Sequence, residues 1–274
     1  MRHIDQDQLR RVAPQRLFDD LESAHQALAL LETDQEKREY IEQNAEVCTA
    51  FRHWLWMVGS LKCWYSEAQL KADDGEVEHF RPKRRVWKST PPHGGYLWDA
   101  FVWRNFRLAA RSVNVRRADY STEQKAGKGC YFPLRDEDRR AQKAAEEGME
   151  EPILLDPTVP EDCTLLCFDD NSGKPIPRYK AEVDDWRYRR AFESINYYHL
   201  DEGTWNALRA DLMRDVSILC ERVLEAAVED ANRYERLVGE LVSYLGPYAE
   251  FSAAAIQVVS QKQLFLHVHP VPHV

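Results

Sequence analysis

The sequence lacks any run approaching the roughly 18 consecutive apolar residues of a membrane-spanning helix, so no helical membrane span is expected. Its opening, MRHIDQDQLRR, has no apolar stretch of the kind a secretory signal needs. Cysteine is sparse: Cys48, Cys63, Cys130, Cys163, Cys167 and Cys220 are scattered through 274 residues. That is the usage of a reducing compartment, where free thiols are mostly small buried hydrophobes. No internal repeat and no low-complexity tract is visible either. The absences together predict a cytoplasmic protein with no membrane partner. What is present, 44% apolar and 11% aromatic residues, is enough to bury a substantial core.

Net charge is −9, which by itself argues against a nucleic-acid partner. The distribution argues the other way. Between His79 and Lys128 lie twelve Lys and Arg but only Asp99, Asp119 and Glu123 as acids, so this stretch is +9 and the remainder −18. A local field of this kind attracts phosphates, while the acidic remainder limits indiscriminate binding.

From about residue 15 to 61 apolar residues recur at three and four: Leu17, Leu21, Ala24, Leu28, Leu31, then Phe51, Trp54, Leu55 and Val58. This predicts amphipathic helices, with a fresh helix start near Thr33-Asp34. From Lys62 to about Leu134 the texture changes to prolines, glycines, tryptophans and short β-type runs. EVEHF reads as a strand with Val77 and His79 on one face and Glu76 and Glu78 on the other. FVWRNFRLAARSVN runs toward a short helix, and a loop rich in Gly and Lys follows. Residues 136–150 read as an exposed charged helix or linker, and 151–177 as irregular. Helical periodicity returns from about Glu182 to Ala255, and the tail LFLHVHPVPHV reads at best as a short edge strand.

Cutting a phosphodiester needs a water, a base to deprotonate it, and positive charge on the phosphate and leaving oxygen. Histidine suits the base, and a magnesium-type ion is held by one or two oxygen ligands while keeping several waters. The basic segment contains those parts in order: Glu78-His79, then Asn105, then Asn114. Lys83, Arg84 and Arg111 are the expected phosphate contacts. One tension is visible at once, because adjacent strand residues point to opposite faces. Glu78 and His79 then need a bend at Phe80–Pro82 to serve one site.

The blocks KCWYSE, EVEHFRPK, YLWDAFVWRNFRLAARSVN, GKGCYFPL and EEPILLDPT, with the weaker FESINYYHL, resemble the HNH endonucleases of the PtuB type. These are found in Septu and retron anti-phage operons. The resemblance covers roughly residues 62–215. It implies an α+β, mainly helical fold in which a ββα-metal (HNH) core at 62–135 follows an N-terminal helical segment at 1–61. A linker and irregular segment at 136–180 and a C-terminal helical segment at 181–274 complete the chain. By position, the resemblance makes His79 the general base, Glu78 and Asn114 ligands of Mg2+ or Mn2+, and Asn105 the residue that orients the His79 ring. It also implies a DNA or RNA substrate and an SMC/ABC-like ATPase partner of the PtuA type. A reverse transcriptase with its RNA–DNA product is a possible companion, and the first 60 residues are the expected docking arm.

The sequence departs from the family at its zinc staple. Members commonly carry two Cys pairs around the core, but here the first reads Cys63-Trp64-Tyr65-Ser66 and the second Ala110-Arg111-Ser112-Val113. A lone Cys63 cannot hold zinc tetrahedrally, so no structural zinc is expected and packing must hold the core. The competing reading is a catalytically decayed subunit that binds nucleic acid or the ATPase. Outside this set, Cys163 and Cys167 read as packing residues, His93 as a turn residue, and His267 and His269 as surface histidines.

Overall fold

In the computed structural model, which describes residues 1–115, 117–118 and 125–264, five α-helices precede the first strand. They are α1 (Leu9–Val12), α2 (Gln15–Ala29), α3 (Asp34–Gln43), α4 (Ala45–Thr49) and α5 (Arg52–Val58). Thr33 starts α3 as the sequence predicts. Its hydroxyl accepts from Glu36 N while the Glu36 carboxylate accepts from Thr33 N, a reciprocal cap that satisfies two otherwise orphaned amides. The apolar stripe of α2, Phe18, Leu21, Ala24 and Leu28, is buried.

That stripe shares its hydrophobic core with an antiparallel pair of strands, β1 (Gly75–His79) and β2 (Phe106–Ala110), the second of which leads straight into the one-turn helix α6 (Arg111–Asn114). α5 packs on both strands. Phe51 stands edge-on to Phe18 at 5.1 Å and to Phe106 at 5.9 Å, joining the helices to the sheet. The first 60 residues therefore complete the core on which the strands sit. After α6 come the two-residue strands β3 (Arg117–Ala118) and β4 (Lys125–Ala126), paired antiparallel.

Helix α7 (Pro160–Cys163) and the pair β5 (Leu166–Phe168) and β6 (Pro175–Pro177) lead to the C-terminal helices. These are α8 (Asp185–Tyr197), α9 (Gly203–Glu229), α10 (Ala231–Leu245) and α11 (Ser252–Gln261). α8 joins the first core through Ala191 and Ile195, with Tyr198 just beyond its end, whereas α9 to α11 build a second around Val216, Val223, Leu241 and Val259. The two cores meet at Glu67, whose carbonyl accepts from Phe251 N at 3.3 Å and whose carboxylate accepts from Ser252 at 2.9 Å. The fold is thus mainly helical with small two-stranded sheets.

Residues 136–156 are irregular, with short 3-10 turns, but they are neither a detached linker nor an exposed helix. Their charges find partners in the core. Arg140 is buried and donates to Tyr96 Oη at 2.7 Å and to Phe132 O at 2.8 Å. Glu150 accepts from Tyr96 Oη at 2.7 Å and from Arg81 at 2.9 Å. Asp156 receives the Arg107 guanidinium in a fork at 2.7 and 2.6 Å, both groups buried. The burial-opposed charges of that pair reinforce each other, lifting Arg107 and holding the Asp156 carboxyl low. The expected edge strand after Leu264, with His267 and His269, lies outside the described residues.

Candidate functional site at the end of the first strand

The register of β1 and β2 is unbroken from Gly75 opposite Ala110 to His79 opposite Phe106. No bulge turns the strand, so Glu78 and His79 keep opposite faces. The bend expected at Phe80–Pro82 comes too late to unite them. Beyond His79 the pairing passes to Asn105, whose carbonyl accepts from Phe80 N at 2.9 Å.

On the first face Glu78 is 3% exposed. One carboxylate oxygen accepts from Tyr65 Oη at 2.8 Å, and the other is in direct contact with Lys128 Nζ. Lys128 is itself buried, and its ammonium donates further to His79 O at 2.8 Å and Phe80 O at 2.9 Å. Burial and the neighbouring carboxylate push the Tyr65 phenol well up, so it stays a donor.

On the opposite face the half-buried His79 ring stands edge-on to Phe106 at 5.0 Å, and its Nε2 lies 2.9 Å from Ala100 O. A carbonyl only accepts, so Nε2 carries the proton and Nδ1 keeps its lone pair. Nδ1 has no partner among the described residues and is not sealed from solvent. Burial, aided by the ammonium groups of Lys83 and Lys128, lowers the imidazole to about 3. The ring is therefore neutral at pH 7.

The Lys83 charge is felt at the His79 ring, and the backbone at Lys83–Arg84 runs against Gly95. A Cβ at Gly95 would stand 2.5 Å from Arg84 O, and its φ of +104° is one that side-chain-bearing residues rarely adopt. Lys83 is half-buried, its charge disfavoured by burial, and it forms no ion pair among the described residues. Nearby His93 is buried instead, with Nε2 3.0 Å from Ala141 O, and serves the turn.

Asn105 does not touch the ring as expected. Its amide donates to Arg81 O at 2.9 Å and Asp99 O at 3.3 Å, and its Oδ1 accepts from Arg81 N at 2.7 Å. It therefore clamps the chain after His79 to the turn that presents Ala100 O, and acts on the imidazole through backbone. Asp99 in that turn is pushed up to about 7 by burial and by Glu147.

Asn114 pairs with Glu76 rather than Glu78, its amide donating at 2.9 Å, and Arg111 lies 3.8 Å from the same Glu76 carboxylate. The donor set expected for a divalent ion does not fit this arrangement. Both Glu78 oxygens are engaged, Asn114 turns to another carboxylate, and the described residues include no group of three His, Cys, Asp or Glu that could hold a metal.

The basic segment also sorts differently from its bare charge. Arg107, Lys128 and Arg81 are committed to internal carboxylates. Arg84 lies 3.4 Å from Glu42 in an exposed pair, so of the three expected phosphate contacts only Lys83 lacks an ion pair among the described residues. The side chains of Arg116, Arg117 and Lys125 lie outside the described residues. At the positions where the resemblance implies Cys pairs, Cys63 Sγ accepts from Ala110 N at 3.3 Å, and Trp64, Tyr65 and Val113 are buried in the core.

Sequence reasoning missed the roles of Lys128, Tyr65, Glu76 and the Ala100 carbonyl. The signal for Lys128 was available in Gly127-Lys128-Gly129, a lysine held between two glycines with φ of +103° and +52°.

No family model matches the chain. Over 168 residues it is 27% identical to Septu protein PtuB of Bacillus mycoides (strain KBAB4), an alignment covering 60% of this chain and 51% of that protein. The chain thus spans about half the length of the curated relative it matches. That similarity agrees with the resemblance its motifs carry, and places the chain as a distant relative of the PtuB type of Septu protein.

Proposed function

We propose that the chain is a nuclease subunit of a Septu-type anti-phage defence system, hydrolysing phosphodiester bonds of DNA or RNA with His79 as general base. The observation that carries this reading is the His79 imidazole itself. Its Nε2 is pinned to Ala100 O, its Nδ1 has no partner among the described residues, and a half-buried Lys83, without an ion pair among them, lies within electrostatic reach. A phosphate drawn to Lys83 brings negative charge toward His79, which favours the imidazolium and strengthens a base that is weak when the site is empty. Water held between them then loses its proton to Nδ1. Asn105 keeps the carbonyl that fixes the tautomer, and Phe106 supports the ring. No step is assigned to a divalent ion, because the expected ligands do not fit one.

The relative's name supplies the Septu system, and the resemblance of the motifs supplies the proposal that the chain works beside a PtuA-type SMC/ABC-like ATPase. A second reading, a non-catalytic subunit that binds nucleic acid or the ATPase, draws on the internal pairing of Glu78 with Lys128. The test is incubation of wild type and His79→Ala with plasmid DNA and total tRNA, with and without the ATPase, in Mg2+, Mn2+ or EDTA. Wild type is expected to cleave at least one substrate, and the variant to lose about 10²–10⁴-fold in rate, the usual contribution of a general base. Equal behaviour of the two proteins under every condition refutes the enzymatic reading.

A further inference from the structure

A carboxylate that ends a strand beside a candidate base is the expected seat of a divalent ion. Here that seat has an occupant from the chain itself. Lys128 Nζ contacts a Glu78 oxygen and donates to His79 O at 2.8 Å and Phe80 O at 2.9 Å, so all three ammonium protons have oxygen acceptors. The other Glu78 oxygen accepts from Tyr65. Neither side chain is open to solvent, with exposures of 0% for Lys128 and 2% for Glu78.

The lysine is delivered by backbone rather than by chance rotamer choice. Lys128 N donates to Val113 O at 2.8 Å and Gly129 N to Asn114 O at 2.7 Å, so the loop is fastened to α6 on both sides of the Cα that carries the ammonium. The flanking glycines take positive φ, which lets the chain turn inward and out again within three residues. A magnesium-type ion demands near-octahedral oxygen geometry and gives up its waters reluctantly. At Glu78 it meets a dry, three-acceptor nest already filled by a cation of the right charge sign and the wrong coordination number.

We infer that the Lys128 ammonium is the resident cation of the Glu78 carboxylate, standing in the place of a divalent ion, which does not bind there while the 127–129 loop is docked. This goes beyond the nuclease reading and does not depend on it. Glu78 then holds the end of β1 in place beneath His79 through the His79 and Phe80 carbonyls, and is not a metal ligand.

The test is Mn2+ binding by the full-length protein, read by calorimetry and by electron paramagnetic resonance of free Mn2+. Wild type and the neutral pair Glu78→Gln/Lys128→Met are expected to take up the same amount of Mn2+. Lys128→Met, where circular dichroism shows it folded, is expected to gain one Mn2+ per chain. If Lys128→Met does not fold, wild type against the neutral pair decides. One equivalent of Mn2+ bound by wild type and lost in the neutral pair overturns the inference, as does a folded Lys128→Met that gains none. Because binding is read directly, an inactive His79 site leaves this result untouched, and Mn2+ at Glu78 would leave the role of His79 standing.

Discussion

Protonation of His79 offers the sharpest test of how the site is built. An unfolded chain takes up a proton at this side chain near pH 6.5, whereas the folded ring is held down to about 3 by burial and by Lys83 and Lys128. Between those values the unfolded state binds more protons than the folded one, so stability rises with pH across the window and falls as the solution is acidified through it. At pH 4.5 the difference amounts to about 2.7 kcal/mol, since each unit between 6.5 and 4.5 is worth about 1.4 kcal/mol. The figure is an upper bound because the ring is only half-buried and its Nδ1 is open to solvent, which screens part of the effect. Urea unfolding of wild type and His79→Gln at pH 7, 5.5 and 4.5 isolates the contribution, because the other titrating groups are shared. The wild type is expected to lose about 2 kcal/mol more than the variant between pH 7 and 4.5. Nitrogen-15 spectra of the imidazole should show a proton on Nε2 and a bare Nδ1 at pH 7, persisting below pH 5. Titration of this ring near 6.5, or parallel stability curves for the two proteins, would refute the burial of the ring, and a proton on Nδ1 at pH 7 would refute its fixed tautomer.

Two further outcomes follow from the same geometry. Arg107→Met leaves the Asp156 carboxylate buried without its fork, a loss of about 3–5 kcal/mol that a thermal melt reads as a fall of order 10 °C; a melt within 2 °C of wild type would show that the pair is dispensable. Asn105→Ala removes three hydrogen bonds, at about 1 kcal/mol each, and frees the Asp99–Ala100 turn from Arg81. If Asn105 is a positioning residue, the variant also shows a mixed His79 tautomer and a reduced kcat at nearly unchanged KM. A purely structural role would lower stability and leave the tautomer alone.

Packing and polar contacts occupy the positions where the resemblance implies two Cys pairs. Cys63 remains as a buried acceptor for Ala110 N, and the space around it is filled by Trp64, Tyr65 and Val113. The connection between strand and helix is then held by Lys128 and by the backbone contacts of its loop with Val113 and Asn114. A polar clamp of this sort is costly to bury and costly to break, because removing either partner leaves the other charge without water.

Much was legible from local pattern. The helix start at Thr33, the alternation of EVEHF, the short helix at Arg111–Asn114 and the helical C-terminal third all follow from periodicity and capping, which are properties of neighbouring residues. The choice of His79 as the ring to watch came from the Glu78-His79 pair within its resemblance blocks. What those patterns could not contain was which charges would meet. Twelve basic residues read as one positive field, yet Arg107 finds Asp156 49 positions away and Lys128 finds Glu78 50 positions away. Chain reversal at Gly127–Gly129 and packing of 136–156 on the strands create those encounters, and neither leaves a periodic trace. Local sequence determined the strand and its faces, and singled out His79. Only the tertiary structure decided that the carboxylate beside it would face a buried lysine, because pairing of desolvated charges depends on contacts made across the whole fold.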